Sequence, residues 1–155
     1  MLLRLLAAVS VLAVAGCGAD AKKTETTTAG VELPPGCTVP EVEQIVTAFL
    51  RTPDLAPPSF FEVYASYESD GRSFVSRRRA RALAHLRLRR RLGEQDRLIQ
   101  LRVSPQDVNH ARITFRLTRY GPDFRDRGIS GRLSEGGGTI DCAHGKVAAW
   151  AQRGP

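Results

Sequence analysis

Asn109-His110-Ala111-Arg112-Ile113-Thr114-Phe115-Arg116-Leu117-Thr118-Arg119-Tyr120 sets Ala111, Ile113, Phe115 and Leu117 in strict alternation with Arg112, Thr114, Arg116 and Thr118. A period of two puts one set on each face of a strand. One face is dry and the other wet, as in an antiparallel sheet that covers a core on one side. Further strand-like runs lie at 98–104, 128–142 and 146–152. Gly136-Gly137-Gly138, inside the second of these, predicts a bulge or a sharp bend.

Upstream of this run the period changes. Thr38-Val39-Pro40-Glu41 is a capping box with proline in the first turn, and Val42, Ile45, Val46, Phe49 and Leu50 follow at helical spacing until Thr52-Pro53 stops the helix. Phe61, Val63, Ala65 and Tyr67 alternate with Glu62, Tyr64, Ser66 and Glu68, which reads as a strand before the Asp70-Gly71 turn. Residues 76–92 read as a second helix, capped by Ser76, with Ala80, Leu83, Ala84, Leu88 and Leu92 in one stripe and Gly93 at its end. Helices first and antiparallel strands after predict an α+β domain, its helices packed on one face of a curved antiparallel sheet.

The amino terminus belongs to another category. Residues 2–15 carry Arg4 and then an apolar run too short to span a bilayer, ending in Val14-Ala15-Gly16-Cys17. That ending resembles the lipobox of bacterial lipoproteins, which implies removal of residues 1–16 and a lipid on Cys17. The partner expected from it is a membrane, reached through that lipid, and the compartment is the extracytoplasmic side of the cell envelope. The alternative is a chance cysteine in an ordinary signal or a buried first helix. Residues 17–36, rich in Thr, Ala, Lys, Glu and Pro, read as a tether with an average reach of about 24 Å. Residues 37–153 remain as one domain. Cys37 and Cys142 are then the only two thiols left, and in an oxidising compartment they are expected to pair, the alternative being two separate buried thiols.

The pieces of this domain, Cys37 before the first helix, Arg89 with Glu94 five residues on, Leu98 opening a strand, the glycine-rich strand ending in Cys142 and a last strand carrying Trp150, are similar to the nuclear transport factor 2-like superfamily. That cone-shaped fold includes ketosteroid isomerase and SnoaL-type cyclases, and the resemblance is narrowest to exported members without assigned activity. It implies a cavity between helices and sheet for a small apolar ligand, with Tyr64, Ile113, Phe115 and Leu117 as candidate walls, and a sheet able to form a homodimer. An isomerase-, dehydratase- or cyclase-type enzyme is the alternative, because one fold hosts enzymes and binding modules alike. Acid–base candidates are Tyr64, Tyr67, His85, His110, Tyr120 and Asp123, none at a spacing that forces two together. His85 falls on the polar side of its helix and reads as solvent-facing, as does His110 at a strand start.

Charge is uneven. Eleven arginines between Arg72 and Arg102 face only Glu94 and Asp96, while the rest of the chain after residue 16 has eleven basic and fourteen acidic residues. Arg77, Arg78 and Arg79 crowd a helix start, and Arg87 and Arg91 fall within the apolar stripe. The set reads as a basic patch suited to an anionic surface, or as a solvated helix face. Nucleic acid fits the charge but not an exported chain. Glu94 is a candidate ion-pair partner for Arg89 or Arg91, structural rather than catalytic. Neither a metal nor a cofactor is expected: Cys142-Ala143-His144 lacks a second ligand pair, and the glycine run lacks the Lys-Ser/Thr of a phosphate loop.

Overall fold

The computed structural model describes residues 32–68 and 70–154. The leader, Cys17 and most of the tether lie outside them. The first helix, α1 (Val39–Arg51), starts as the capping box dictates: the Glu41 carboxylate accepts the Thr38 N–H at 2.9 Å and the Thr38 hydroxyl at 2.6 Å. These bonds hold the Glu41 carboxyl below its ordinary range. Its buried face is Val42, Val46, Phe49 and Leu50, and the Thr52 N–H closes the last turn on Ala48 O at 2.7 Å.

Six strands follow: β1 (Val63–Tyr67), β2 (Ser73–Ser76), β3 (Gln95–Pro105), β4 (His110–Tyr120), β5 (Arg132–Asp141) and β6 (Lys146–Arg153). Two further helices interrupt them, α2 (Arg79–Arg91) and the one-turn α3 (Pro122–Asp126). The sheet order is β2-β1-β6-β5-β4-β3. Four of the five pairings are antiparallel as expected; β1 and β6 run parallel, because the last strand enters from the same end of the sheet as β1. The sequence reading assigned neither β2 nor α3.

Ala111, Ile113, Phe115 and Leu117 line the concave face, each at most 3% exposed. Trp150 fills the centre of that face, its ring stacked on Phe115 at 3.9 Å and tilted against Phe49 at 4.9 Å. The glycine run makes room for this. A β-carbon at Gly136 would lie 2.5 Å from the Phe115 ring and 2.2 Å from Ala151 O, and one at Gly138 would lie 2.2 Å from Ala149 O. The run itself stays in register with β4, and the predicted irregularity falls one residue later, between Thr139 and Ile140 on the β6 side. Cys37 and Cys142 are disulfide-bonded, tying the start of α1 to the end of β5 across 105 positions.

On β1, whose alternation left the inner side open, the buried residues are Tyr64 and Ser66, each 1% exposed, while Tyr67 is 43% exposed. The face of α2 differs from the sequence reading: the buried set is Ala82, Leu83, Leu86 and Arg89; Leu88 and Leu92 are exposed, and so are Arg87 and Arg91, which lie off the packed face. Both faces meet one polar cluster, through Ser66 and Arg89. Ser76 does not cap the helix; its hydroxyl accepts the Arg78 N–H at 3.1 Å, and α2 begins at Arg79.

Candidate functional site

At the end of the concave face away from the disulfide, Tyr64 and Ser66 from β1 meet Glu68, His85 and Arg89, Glu94 and Asp96, and Arg119 from β4. Arg89 enters from α2 at 5% exposure and Arg119 at 3%. Arg89 donates to Glu94 Oε2 and to the Ser66 hydroxyl, each at 2.5 Å. Arg119 donates to Tyr67 O at 2.5 Å and to Glu94 Oε2 at 3.2 Å, and its Nε stands 3.5 Å from Asp96 Oδ1. Arg90 holds Asp96 Oδ2 at 3.1 Å. Glu68 meets His85 Nε2 at 2.9 Å and Arg89 Nε at 3.7 Å. Three carboxylates therefore share three guanidinium groups, and each acid touches two basic side chains.

Burial sets the protonation chemistry here. The Tyr64 hydroxyl is pushed up to about 12 by loss of water, against the pull of Arg89. Burial also raises the Glu94 carboxyl, with Arg89 pulling the other way and Glu68 and Asp96 adding repulsion. Arg89 and Arg119 share Glu94 Oε2, while Glu68 Oε1, His85 Nε2 and Asp96 Oδ1 are buried without a well-aligned hydrogen bond. The cluster joins α2 to β1 and β3, and β4 to β1.

The sequence-named residues fall as follows. Arg89 and Glu94 meet in this cluster. Tyr64 and His85 come together, ring centres 6.0 Å apart, and His85 is half-buried, stacked on Phe74 at 3.8 Å and not solvent-facing. Its contacts are non-local: Phe74 comes from β2, which the sequence reading did not assign. His110 stays at its strand start, beside Asp107 at 2.9 Å. Ile113, Phe115 and Leu117 read equally as core or as walls of a greasy pocket, with Tyr64 beside them; all four are buried in the core, and Trp150 occupies the row between Tyr64 and Ile113 over Gly138. Arg77 and Arg78 are exposed, whereas Arg79 is half-buried with Nη2 on Asp54 at 2.8 Å. The basic patch is thus smaller than its arginine count, since Arg79, Arg89 and Arg90 answer acids. The residues that sequence reasoning missed are Ser66, Glu68, Asp96 and Arg119; the available signal was the polar set on β1.

The described surface has a cleft of about 410 Å³ on the outer, convex face of the sheet, bordered by Gln100, Arg102, Thr114, Arg116 and Glu135. A smaller one of about 190 Å³ lies between α1 and the β5–β6 turn. Neither cleft reaches the charged cluster. Among the described residues no group of His, Cys, Asp and Glu side chains could hold a metal, and no helix is long and apolar enough to cross a membrane.

No family model matches the chain, and no curated protein matches it. Solved structures similar to it include a "putative polyketide cyclase" from Xanthomonas campestris pv. campestris, at 15% identity and a TM-score of 0.43 over 73% of this chain and 89% of that one. Another "putative polyketide cyclase", from Pseudomonas putida KT2440, shows 18% identity and a TM-score of 0.40 over 73% and 81%. At that degree of likeness neither tells what this chain binds or does.

Proposed function

We propose that this chain is a lipid-anchored protein of the cell envelope whose domain is a non-catalytic docking module, presenting a surface instead of a reaction chamber. The observation that carries the reading is the filled cone: Trp150, clamped by Phe49 and Phe115, occupies the volume where a ligand would sit. The acids beside it each lie against an arginine: Glu68 against Arg89, Glu94 against Arg89 and Arg119, and Asp96 against Arg90. The anchor is supported by Val14-Ala15-Gly16-Cys17 and by the bond between the two remaining cysteines, which suits an oxidising compartment.

The test is titration of the full chain with a neutral apolar dye, N-phenyl-1-naphthylamine, while Trp150 emission is recorded. A docking module leaves dye and tryptophan unchanged. Saturable dye binding that quenches Trp150 would refute the reading and favour a cofactor-independent isomerase-, dehydratase- or cyclase-type enzyme. That second reading has one observation of its own, the His85–Glu68 pair beside Tyr64. For the anchor, cells fed an alkynyl fatty acid label the parent chain and not Cys17→Ser; equal labelling of the two would dismiss it.

A further inference from the structure

The helix α2 sorts its arginines. Those turned toward the sheet and its neighbours answer acids: Arg79 meets Asp54, Arg89 meets Glu94, and Arg90 meets Asp96. Those turned outward do not. Arg87 and Arg91 are exposed and pair with no acid among the described residues, and the same holds for Arg77 just ahead of the helix. No acidic residue occurs between positions 77 and 93. Arg77 and Arg78 also crowd the positive end of the helix dipole, with no acid in the first turn to offset them, so helix stability is not what places them there.

Counting about 100° per residue, Arg81, Ala84, Arg87, Leu88, Arg91 and Leu92 fall within one arc of about 140°, opposite the buried Ala82, Leu83 and Leu86. All six are exposed, Leu88 at 46% and Leu92 at 59%. Ala84, Leu88 and Leu92 make a shallow apolar row about 12 Å long, with Arg87 and Arg91 along one side. Arg81 stands on the other side, its guanidinium 5.5 Å from the centre of the Phe74 ring.

We propose that this face of α2 lies on an anionic phospholipid bilayer, with Leu88 and Leu92 entering the headgroup boundary and Arg77, Arg87 and Arg91 meeting lipid phosphates. The leucines select the occupant. A soluble polyanion offers them nothing, whereas an apolar row flanked by arginines is the pattern of a helix that rests in a membrane interface. A second copy of this chain would set arginine against arginine with no acid on the face to answer. The charges act over only about 8 Å at physiological salt, so the lipid proposed for Cys17 delivers the domain and the helix docks it. The inference rests on the domain being a docking module and names what it docks to.

Ala84→Cys supplies a thiol at the centre of the face for an environment-sensitive dye, nitrobenzoxadiazole, and the parent chain carried through the same labelling sets the background. The labelled full chain is reconstituted into vesicles of phosphatidylcholine alone or mixed with phosphatidylglycerol, and quenching by nitroxide lipids reports the ratio of docked to free domain. Phosphatidylglycerol is expected to raise that ratio about tenfold or more, and added salt to lower it. Arg87→Gln with Arg91→Gln lowers it about tenfold, and Leu88→Gln with Leu92→Gln lowers it by a similar factor. Arg112→Gln with Arg116→Gln, the same charge change on the sheet, leaves it within about twofold. Equal quenching on phosphatidylcholine alone, an unchanged ratio in the arginine pair, or an equal loss in the Arg112/Arg116 pair would each overturn the proposal. An unchanged ratio in the leucine pair would mean a site for any polyanion and overturn the bilayer as its occupant. Absence of docking with N-phenyl-1-naphthylamine still refused would remove the bilayer and leave the filled-cone reading in place.

Discussion

Replacing Cys37 and Cys142 together by alanine opens a loop whose ends are 105 residues apart. In the chain-entropy account such a cross-link removes about 4.7 kcal/mol of freedom from the unfolded state. Both sulfurs are buried, at 0% and 6% exposure, so the substitution also leaves a small void that adds to the loss. A domain of roughly 120 residues unfolds with an entropy of about 0.25 kcal/mol/K, so the expected fall in Tm is about 15–20 °C. Differential scanning calorimetry of parent and double variant measures it, and alkylation of the parent before and after reduction reports the state of the thiols. A fall of less than about 5 °C would show that the cross-link does not restrain the unfolded chain. Two alkylatable thiols in the untreated protein would break the argument earlier, at the bond itself.

Arg89→Met removes a buried cation from Glu94 and Glu68 and is expected to cost about 3–5 kcal/mol at neutral pH. The cost should shrink in acid. Glu94 is already raised above 4.5 by burial, so the native state holds its proton more readily than the unfolded chain does, and stability on its account falls as pH rises through the folded pKa. Urea midpoints between pH 4 and 8 check this, and a loss that is flat with pH would contradict it. Gly138→Ala should cost about 3 kcal/mol or more, because the new methyl meets a backbone carbonyl at 2.2 Å that cannot step aside. Gly71→Ala, with open space but φ +83°, should cost only about 1 kcal/mol. Equal urea midpoints for the two glycine variants would refute the packing account.

The dry face of β4 was legible because alternation survives any placement of neighbouring strands, and the start of α1 was legible because a capping box is local. Cys37 and Cys142 were an expected pair only once Cys17 was set aside for the lipid that its lipobox resemblance implies, and the structure pairs them. The buried face of α2 was not legible: its leucines are spread around the helix, and Arg89 is buried only because Glu94, Glu68 and Ser66 arrive from other elements. For the same reason β1 buries Tyr64 and Ser66, a side that alternation alone did not choose. In the charged cluster, Glu94 could be named as a partner of Arg89 or Arg91, whereas Asp96 and Arg119 needed the β3–β4 register.

The amino-acid order by itself determined the α+β class of the described residues and the alternation that splits β4 into a dry and a wet face. Only the tertiary structure decided that Trp150 fills the cone, that three acids and three arginines share its far end, and that α2 turns Arg89 and Arg90 toward acids and Arg87 and Arg91 outward. The division is physical. Caps and periodicities are set by neighbours within a few residues, whereas burial of charge and the side a helix turns outward depend on segments brought together from distant parts of the chain.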